Sequence, residues 1–555
     1  MLGINPFQYR QANILGQASI LLPDIKMKSF RSSHVDLAII GGGINGAGLA
    51  AQAVRAGLSV ALFEKGDFGS GTSSKSTKLI HGGIRYLEQG RFSLVFEALH
   101  ERYRLMKMAP HLVHPIAFLL PVYEGDKRPA WLVKTGLWIY DFLAGTKNIA
   151  EHKWFSPTQA LQIAPELKSE GLVGCGLYHD AQVNDARLVL ENILSAENNG
   201  AYCFNYCRVT QIDRQPSLNR IFYRHETSGE KDNLTCSCLV NASGPWANQT
   251  SKLISRNTTP LVRPTRGTHI VVPKILPSHA VLVMSRKDDR ITFIIPWRGE
   301  SLVGTTDLDD NAEPDKVQPT AEEMNYLLQE AARIFPGISW QQKDILSAFA
   351  GLRPLAWSDG DRASSISRED KILADGNVFT IVGGKLTTYH SMAQKTLKMI
   401  LKVLHRKSGL LKSNALPGAP AKSWDLFLTE EIPNWVSTYG INKDQAGHLS
   451  RLYGQKGEAV LNLAKKDPRL FEPLSSSGPD LLAQVAYAVY SEKAMHLEDV
   501  LLRRLEIGYS KERWGEAPEK ASRLMAELLH WDESNRLKEL EQYRQKLFPP
   551  VLPKS

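Results

Sequence analysis

Hydrophobic positions first gather in Val35-Asp36-Leu37-Ala38-Ile39-Ile40, a short β-branched run of the kind a buried parallel strand shows. The run passes straight into Gly41-Gly42-Gly43-Ile44-Asn45-Gly46, and the small residues from Ala47 to Ala56 then predict a helix. Leu58 to Phe63 predicts a second strand, ending at Glu64. Together these pieces make one βαβ unit of about thirty residues. Helical spacing returns at Ser93 to Lys107, where Leu94, Val95, Ala98 and Leu105 alternate with charged positions. It returns again at Ala186 to Ala196, with Asn184 and Asp185 as candidate caps. Leu239 to Gly244 and Asn377 to Val382 predict two more buried strands, each closing on glycine. His269 to Val272 and Arg290 to Pro296 predict strands of a second sheet, broken by proline and charge. After Pro417 the pattern becomes helical and charged, and the Pro-, Gly- and Ala-containing stretch Lys412 to Lys422 marks the boundary. The class these elements predict is α/β, with a helical C-terminal part.

Composition narrows this picture. The chain has 555 residues, 43% hydrophobic and 23% charged, values that exclude collagen-like, coiled-coil and largely disordered proteins. Its five cysteines form no CxxC pair, which argues against a disulfide framework or a cysteine zinc site and for a reducing compartment. The net charge of +9 comes without a long basic block, so it suits anionic small molecules or an anionic membrane face rather than nucleic acid. No apolar stretch reaches the length needed to span a bilayer. Residues 1–33 lack the features of a secretory signal. Two readings of them stand: translation starting at Met27, or a flexible, surface-docking leader.

The chemistry starts at the glycine-rich turn. A lone GxGxxG is weak, but this one follows a strand, opens a helix, and is followed by an acidic residue at the end of the next strand. Gly41 allows the tight turn, Gly43 lets the backbone approach a pyrophosphate, and Gly46 lets helix and sheet pack closely. The helix amino terminus presents unpaired N–H groups to the phosphates, and Glu64 would accept hydrogen bonds from a ribose. This predicts a dinucleotide without separating FAD from NAD.

The following segment separates them. With the motifs IIGGGINGAG (39–48), TSSKSTKLIHGGIRYLE (72–88), NASGPWA (241–247), RGTHIVV (266–272), IPWRGESLVGTTD (295–307), GLRP (351–354) and VGGKLTTY (382–389), the chain resembles the FAD-dependent glycerol-3-phosphate dehydrogenase family. The likeness runs from Val35 to about residue 395 and returns in LEDVLLRR (497–504). It implies an FAD-binding Rossmann-like domain of the glutathione-reductase/D-amino-acid-oxidase type over residues 34–417. A β-sheet substrate domain is interleaved at about 115–165 and 255–345, and a helical domain follows over 418–555. It also implies oxidation of sn-glycerol 3-phosphate to dihydroxyacetone phosphate, electrons passing to a membrane quinone. The absence of a DxDxDG calcium loop makes the chain look like the bacterial, peripherally membrane-bound form on the cytoplasmic face. A homodimer is the expected assembly, and no metal is expected.

By the same resemblance FAD is contacted by Gly41, Gly42, Gly43, Asn45, Gly46, Glu64, Ser73, Ser74, Lys78, Gly244, Gly383, Gly384 and Lys385. Arg85, Tyr86, Arg368 and Thr387 are expected to bind substrate, while His269, Arg353 and Lys385 are expected to be catalytic. Arg368 stays open between substrate binding and pairing with its acidic neighbours Glu369 and Asp370. The chemistry agrees: a secondary alcohol needs a group to take its proton while hydride leaves, and a phosphate dianion needs a cation clamp. Arg353 is read as standing between a glycine turn and a proline, and Thr388 as a further hydroxyl contact. His81 stays open between a core histidine and a flavin contact. So does the segment Ala130 to Leu143, which is rich in Trp and Tyr and flanked by Lys127, Arg128 and Lys147. It reads equally as an interfacial helix or a core helix. The competing functions are a glycerol-3-phosphate oxidase using oxygen, a relative acting on an amino acid, and a non-catalytic FAD-binding scaffold.

Overall fold

The computed structural model describes residues 33–255, 259–286, 288, 290–310, 312–357, 370–407 and 415–547. The leader up to residue 32 and the candidate Arg368 lie outside the described residues. Two sheets carry the fold. The first runs, in order, through Lys371–Asp375, Val378–Val382, Lys231–Asn241, His34–Ile40, Val60–Phe63 and Tyr202–Phe204. Its centre is parallel, with Leu37 opposite both Val60 and Cys238, and Leu239 opposite Val378. The reason for the unbroken apolar run in His34–Ile40 is that both faces are covered. Leu37 and Ile39 pack into a core with helices Ile44–Arg55, Asp185–Asn198 and Tyr389–Val403, while Val35, Ala38 and Ile40 pack against Ile212, Ile221 and Tyr223 of the hairpin Cys207–Arg214/Asn219–His225.

The second sheet runs through Leu308–Asp309, Val262–Val272, Glu300–Gly304, Ile291–Trp297, Ala280–Met284, Val113–Tyr123, Leu172–Val183 and Leu79–Ile80, with Ser347–Ala356 paired to Val262–Val272. It therefore exceeds the expected 115–165 and 255–345, taking in Leu172–Val183 and Ser347–Ala356. GLRP is a strand and not a turn: Gly351 lies opposite Gly267, Arg353 opposite Thr265 and Pro354 opposite Pro264. Among the described residues, Ser347–Ala356 pairs along one side only, where a proline without an N–H breaks no ladder. The proline made this strand look like a turn.

The C-terminal part folds as helices, among them Trp424–Tyr439, Lys443–Tyr453, Leu482–Glu492 and Glu516–Leu529, around Trp435, Tyr453, Leu449 and Val485. A π-helical turn at Asp499–Arg504 faces back toward the first sheet's domain. All five cysteines are buried and unpaired. No helix among the described residues is long and apolar enough to cross a membrane.

Candidate active site

The carboxyl ends of the parallel strands converge on the glycine-rich turn, the place where open α/β sheets bind ligands. Gly41 is at φ +112°, and a Cβ there would stand 2.5 Å from the Ala242 carbonyl oxygen that follows Lys231–Asn241. A Cβ on Gly46 would stand 1.9 Å from the Gly41 carbonyl oxygen, so this glycine is demanded by the turn itself. Gly43 is different: its Cβ would meet only Ser73 Oγ, at 3.1 Å, with open space beyond. Helix Ile44–Arg55 begins there with no side-chain cap and no acidic residue in its first turn. The Ile44 N–H donates to Ser73 Oγ at 3.0 Å. Glu64 accepts from the N–H groups of Gly42 (2.7 Å) and Gly66 (2.9 Å), which fixes its carboxylate at the cradle wall. Burial raises its pKa, and those two N–H groups oppose the rise.

The other side of the cradle is made by Gly383 (φ +77°) and Gly384 (φ +102°), which follow Val378–Val382. A Cβ on Gly384 would stand 3.0 Å from Asn45 Nδ2, so this turn and the start of the helix touch. Gly244 (φ +56°) opens a short 3-10 turn beside them. Asn45 Oδ1, Ser74 Oγ and Thr388 Oγ1 are buried without a hydrogen-bond partner among the described residues. Orphans of this kind are what a bound polar group satisfies. With the open space at Gly43, they fit a dinucleotide such as FAD.

Two groups of predicted residues flank this cradle. In one, Lys385 Nζ lies 3.8 Å from the centroid of the Tyr86 ring. Tyr86 is buried and follows the half-buried Arg85 in the 3-10 turn Ile84–Leu87. Thr387 Oγ1 accepts the His81 N–H at 3.2 Å, tying the two loops together. The half-buried His81 ring lies tilted against Phe293, with centroids 6.0 Å apart.

In the other group, His269 lies within Val262–Val272 and is 2% exposed. Its ring stacks on Phe349 at 5.1 Å, and Nε2 is 2.9 Å from Thr77 Oγ1. Nδ1 is buried with no partner among the described residues. A Cβ on Gly304 would stand 2.2 Å from His269 Cδ2, so the ring lies directly over that glycine. Burial, then Arg353 and Lys78, hold the imidazole pKa well below 6.5, so it is neutral at pH 7. The Arg353 guanidinium lies across Gly267, where a Cβ would stand 2.5 Å from Nη2. It donates to Asp307 Oδ1 and Thr305 Oγ1, both at 2.9 Å, and more weakly to the Thr306 carbonyl.

Lys78 departs from the expected flavin contact. Its Nζ is wholly buried, 2.5 Å from Asp185 Oδ1, 2.9 Å from Glu506 Oε1 and 3.2 Å from the Ser74 carbonyl. Two carboxylates are the partners a buried ammonium requires. The residue itself stands at φ +60°, a conformation costing on the order of 1 kcal/mol for a side chain with a Cβ. Sequence reasoning missed four residues: Thr77 against His269, Thr305 and Asp307 around Arg353, and Asp185 beneath the 76–78 run. Thr305 and Asp307 stand in the quoted GTTD run, which was the available signal. Thr77 likewise stands in the quoted TSSKSTKLIHGGIRYLE run, whereas Asp185 was read only as a helix cap, because only folding brings it to Lys78.

The family model for FAD dependent oxidoreductases matches residues 36–393, and that for the C-terminal domain of alpha-glycerophosphate oxidase matches 412–536. The chain is 36% identical to the glycerol-3-phosphate dehydrogenase of Synechocystis, over 87% of this chain and 91% of that one. It is 34% identical to the aerobic enzyme of Staphylococcus haemolyticus (88% and 89%), and 34% identical to the mitochondrial enzyme of Bos taurus (93% and 74%). The FAD-complexed glycerol-3-phosphate dehydrogenase from Bacillus halodurans superposes with a TM-score of 0.76 at 28% identity, covering 92% of this chain and 94% of that one. With the dinucleotide cradle in place and these similarities spanning both parts of the chain, it belongs to the FAD-dependent glycerol-3-phosphate dehydrogenases.

Proposed function

We propose that this enzyme oxidises sn-glycerol 3-phosphate to dihydroxyacetone phosphate and passes the electrons to a membrane quinone. The observation that carries the reading is a neutral, buried His269 beside the fixed guanidinium of Arg353, next to a cradle that fits FAD. Bound FAD supplies the hydride acceptor. The cradle would hold it through the Gly41–Gly46 turn, Ser73, Ser74, Glu64, Gly244 and Gly383–Gly384. His269 takes the proton of the C2 hydroxyl, because a base must be unprotonated at working pH and this one is. Arg353 and Arg85 hold the phosphate, with planar N–H pairs matched to its oxygens. Arg353 meets it without rotamer search, since Thr305, Thr306 and Asp307 already set its plane. Lys385, steadied over Tyr86, places a positive charge beside the reacting carbon, and Thr387 adds a hydroxyl.

The acceptor is read from helix Ala130–Ala144. Its outer face exposes Trp131 (67%), Trp138 (61%) and Phe142 (71%), beside the exposed Phe92 and Phe96 of helix Phe92–Met108. Its inner face places Tyr140 OH 2.9 Å from the Gly82 N–H and 2.8 Å from Asp180 Oδ1, on the loop next to His81. The exposed aromatics are therefore about one helix diameter, roughly 10 Å, from the loop that flanks the cradle. A ring of Trp and Phe with Lys127, Arg128 and Lys134 nearby suits the headgroup region of an anionic bilayer, from which a lipid-soluble quinone is reached. The test is anaerobic bleaching of the flavin by glycerol 3-phosphate, glycerol and amino acids, then reoxidation by a quinone analogue or by oxygen. Bleaching by glycerol 3-phosphate alone, reversed faster by quinone, is expected. Reoxidation by oxygen only would replace the dehydrogenase reading with the oxidase.

A further inference from the structure

The segment that carries LEDVLLRR (497–504) takes no part in the site described above, yet its charges end at both halves of it. Arg503 and Arg504 bridge from the helical domain, where they also donate to Asp499 and to the Glu492 carbonyl, to the buried Asp67. Arg503 Nε lies 2.5 Å from Oδ2, Arg504 Nη2 lies 2.8 Å from Oδ1, and Arg504 Nη1 also donates to Oδ2. Asp67 is three residues past Glu64, in the loop whose Gly69 N–H donates to the Gly42 carbonyl at 3.0 Å. Two residues after Arg504, the buried Glu506 accepts from Lys78 Nζ at 2.9 Å and from Asn184 Nδ2 at 3.0 Å. Ser76 Oγ and Lys78 Nζ both donate to Asp185, at 2.6 and 2.5 Å. Thr77 is held between them with its hydroxyl on His269 Nε2.

Buried ion pairs are weak evidence for stability, because well-packed apolar residues of the same volume often stabilise as much. What they supply is a fixed position: displacing one partner leaves a charge uncovered in the interior. That service is needed here, since residues 64–71 and 75–78 belong to no strand or helix and no ladder holds them. We propose that residues 499–506 are a positioning clamp, fixing the FAD cradle through Asp67 and the catalytic histidine through Lys78 and Thr77, so that docking of the helical domain completes the site. The second half rests on the role given to His269 above; the first rests on FAD binding alone.

Arg504→Met, Arg504→Lys and Glu506→Gln in the full-length protein separate the halves. FAD affinity is measured by equilibrium dialysis of the stripped protein with FAD, and chemistry by anaerobic stopped-flow reduction of the reconstituted flavin with glycerol 3-phosphate. Arg504→Met is expected to raise the FAD Kd at least about tenfold, with Arg504→Lys recovering part of the loss. Glu506→Gln is expected to leave the FAD Kd and the half-saturating substrate concentration within about twofold, and to lower the limiting reduction rate about tenfold. Should Arg504→Met fail to fold, Arg504→Lys decides, because a lysine cannot reproduce the forked contact and should still raise the FAD Kd about threefold. Variants that lose only melting temperature, with wild-type FAD Kd and reduction rate, overturn the clamp. A wild-type flavin that glycerol 3-phosphate does not bleach overturns the reaction assigned above instead, and leaves the FAD arm to judge the clamp.

Discussion

Gly43 and Gly46, in the same turn, show how much depends on where one Cβ would go. Gly46→Ala places its methyl 1.9 Å from backbone and should give insoluble protein, whereas Gly43→Val meets only a serine hydroxyl and should give folded protein without flavin. Absorbance near 450 nm against circular dichroism tells the two apart, and a yellow Gly43→Val protein would remove the turn from the cofactor site. Arg353→Ala should raise the half-saturating glycerol 3-phosphate about ten- to a hundredfold with FAD content unchanged, the usual consequence of losing a charge-assisted pair. The same variant has a second readout. Only the neutral His269 accepts a proton, and its pKa is depressed, so kcat/KM should hold as pH falls through 6.5 and decline only at the lower value. Arg353 is one of the two cations that depress it, so Arg353→Ala should move the acid limb upward toward 6.5. An unmoved limb would mean that another group controls it.

Helix Ala130–Ala144 answers at the scale of the element a question the pattern left open. Its apolar circumference admitted either a core or an interfacial reading, and the structure buries one side of it and leaves the other exposed. Val133, Leu137, Tyr140 and Ala144 are buried, while Trp131, Trp138 and Phe142 face outward. Trp131→Ser with Trp138→Ser should weaken binding to anionic vesicles at least about tenfold, since each ring removes a large apolar area from the interface. Turnover with a soluble dye should stay near wild type, because neither ring enters the core. Equal vesicle binding by the double variant would place the membrane contact elsewhere.

At the scale of the whole molecule, the junction of the two parts of the chain is built of buried charge and is therefore sensitive to pH. Glu191 on the first part accepts the Gly418 N–H at 2.7 Å, and burial pushes its pKa up to about 7. His111 stands 3.8 Å away, but its pKa is held well below 6.5 by burial and Arg187, so the two form no ion pair at neutral pH. A carboxyl whose pKa is raised by folding stabilises fully below its ordinary value near 4.5, and this contribution is lost as pH rises through about 7. Glu191→Gln, neutral at every pH, should therefore raise Tm at pH 8 by roughly 1–3 °C and change it little at pH 5. Equal shifts at both pH values would show that ionisation at this site is not what the junction feels.

The sequence alone determined the dinucleotide unit, because its signals are local: a strand, a glycine-rich turn, a helix start and an acidic residue all fall within thirty positions of one another. It also determined the family through ordered motifs, and the change to helices after Pro417 through a change of period. Only the tertiary structure decided the rest. Ser347–Ala356 could not be read as a strand: its proline is tolerated because, among the described residues, the strand pairs along one side only. Lys78 could not be told from a cofactor contact, since Asp185 and Glu506 reach it from far along the chain. Thr77 became the partner of His269 for the same reason. Periodicity and turns report forces between near neighbours, whereas the partner of a buried charge is chosen by which distant segment closes over it, and that exists only once the chain has folded.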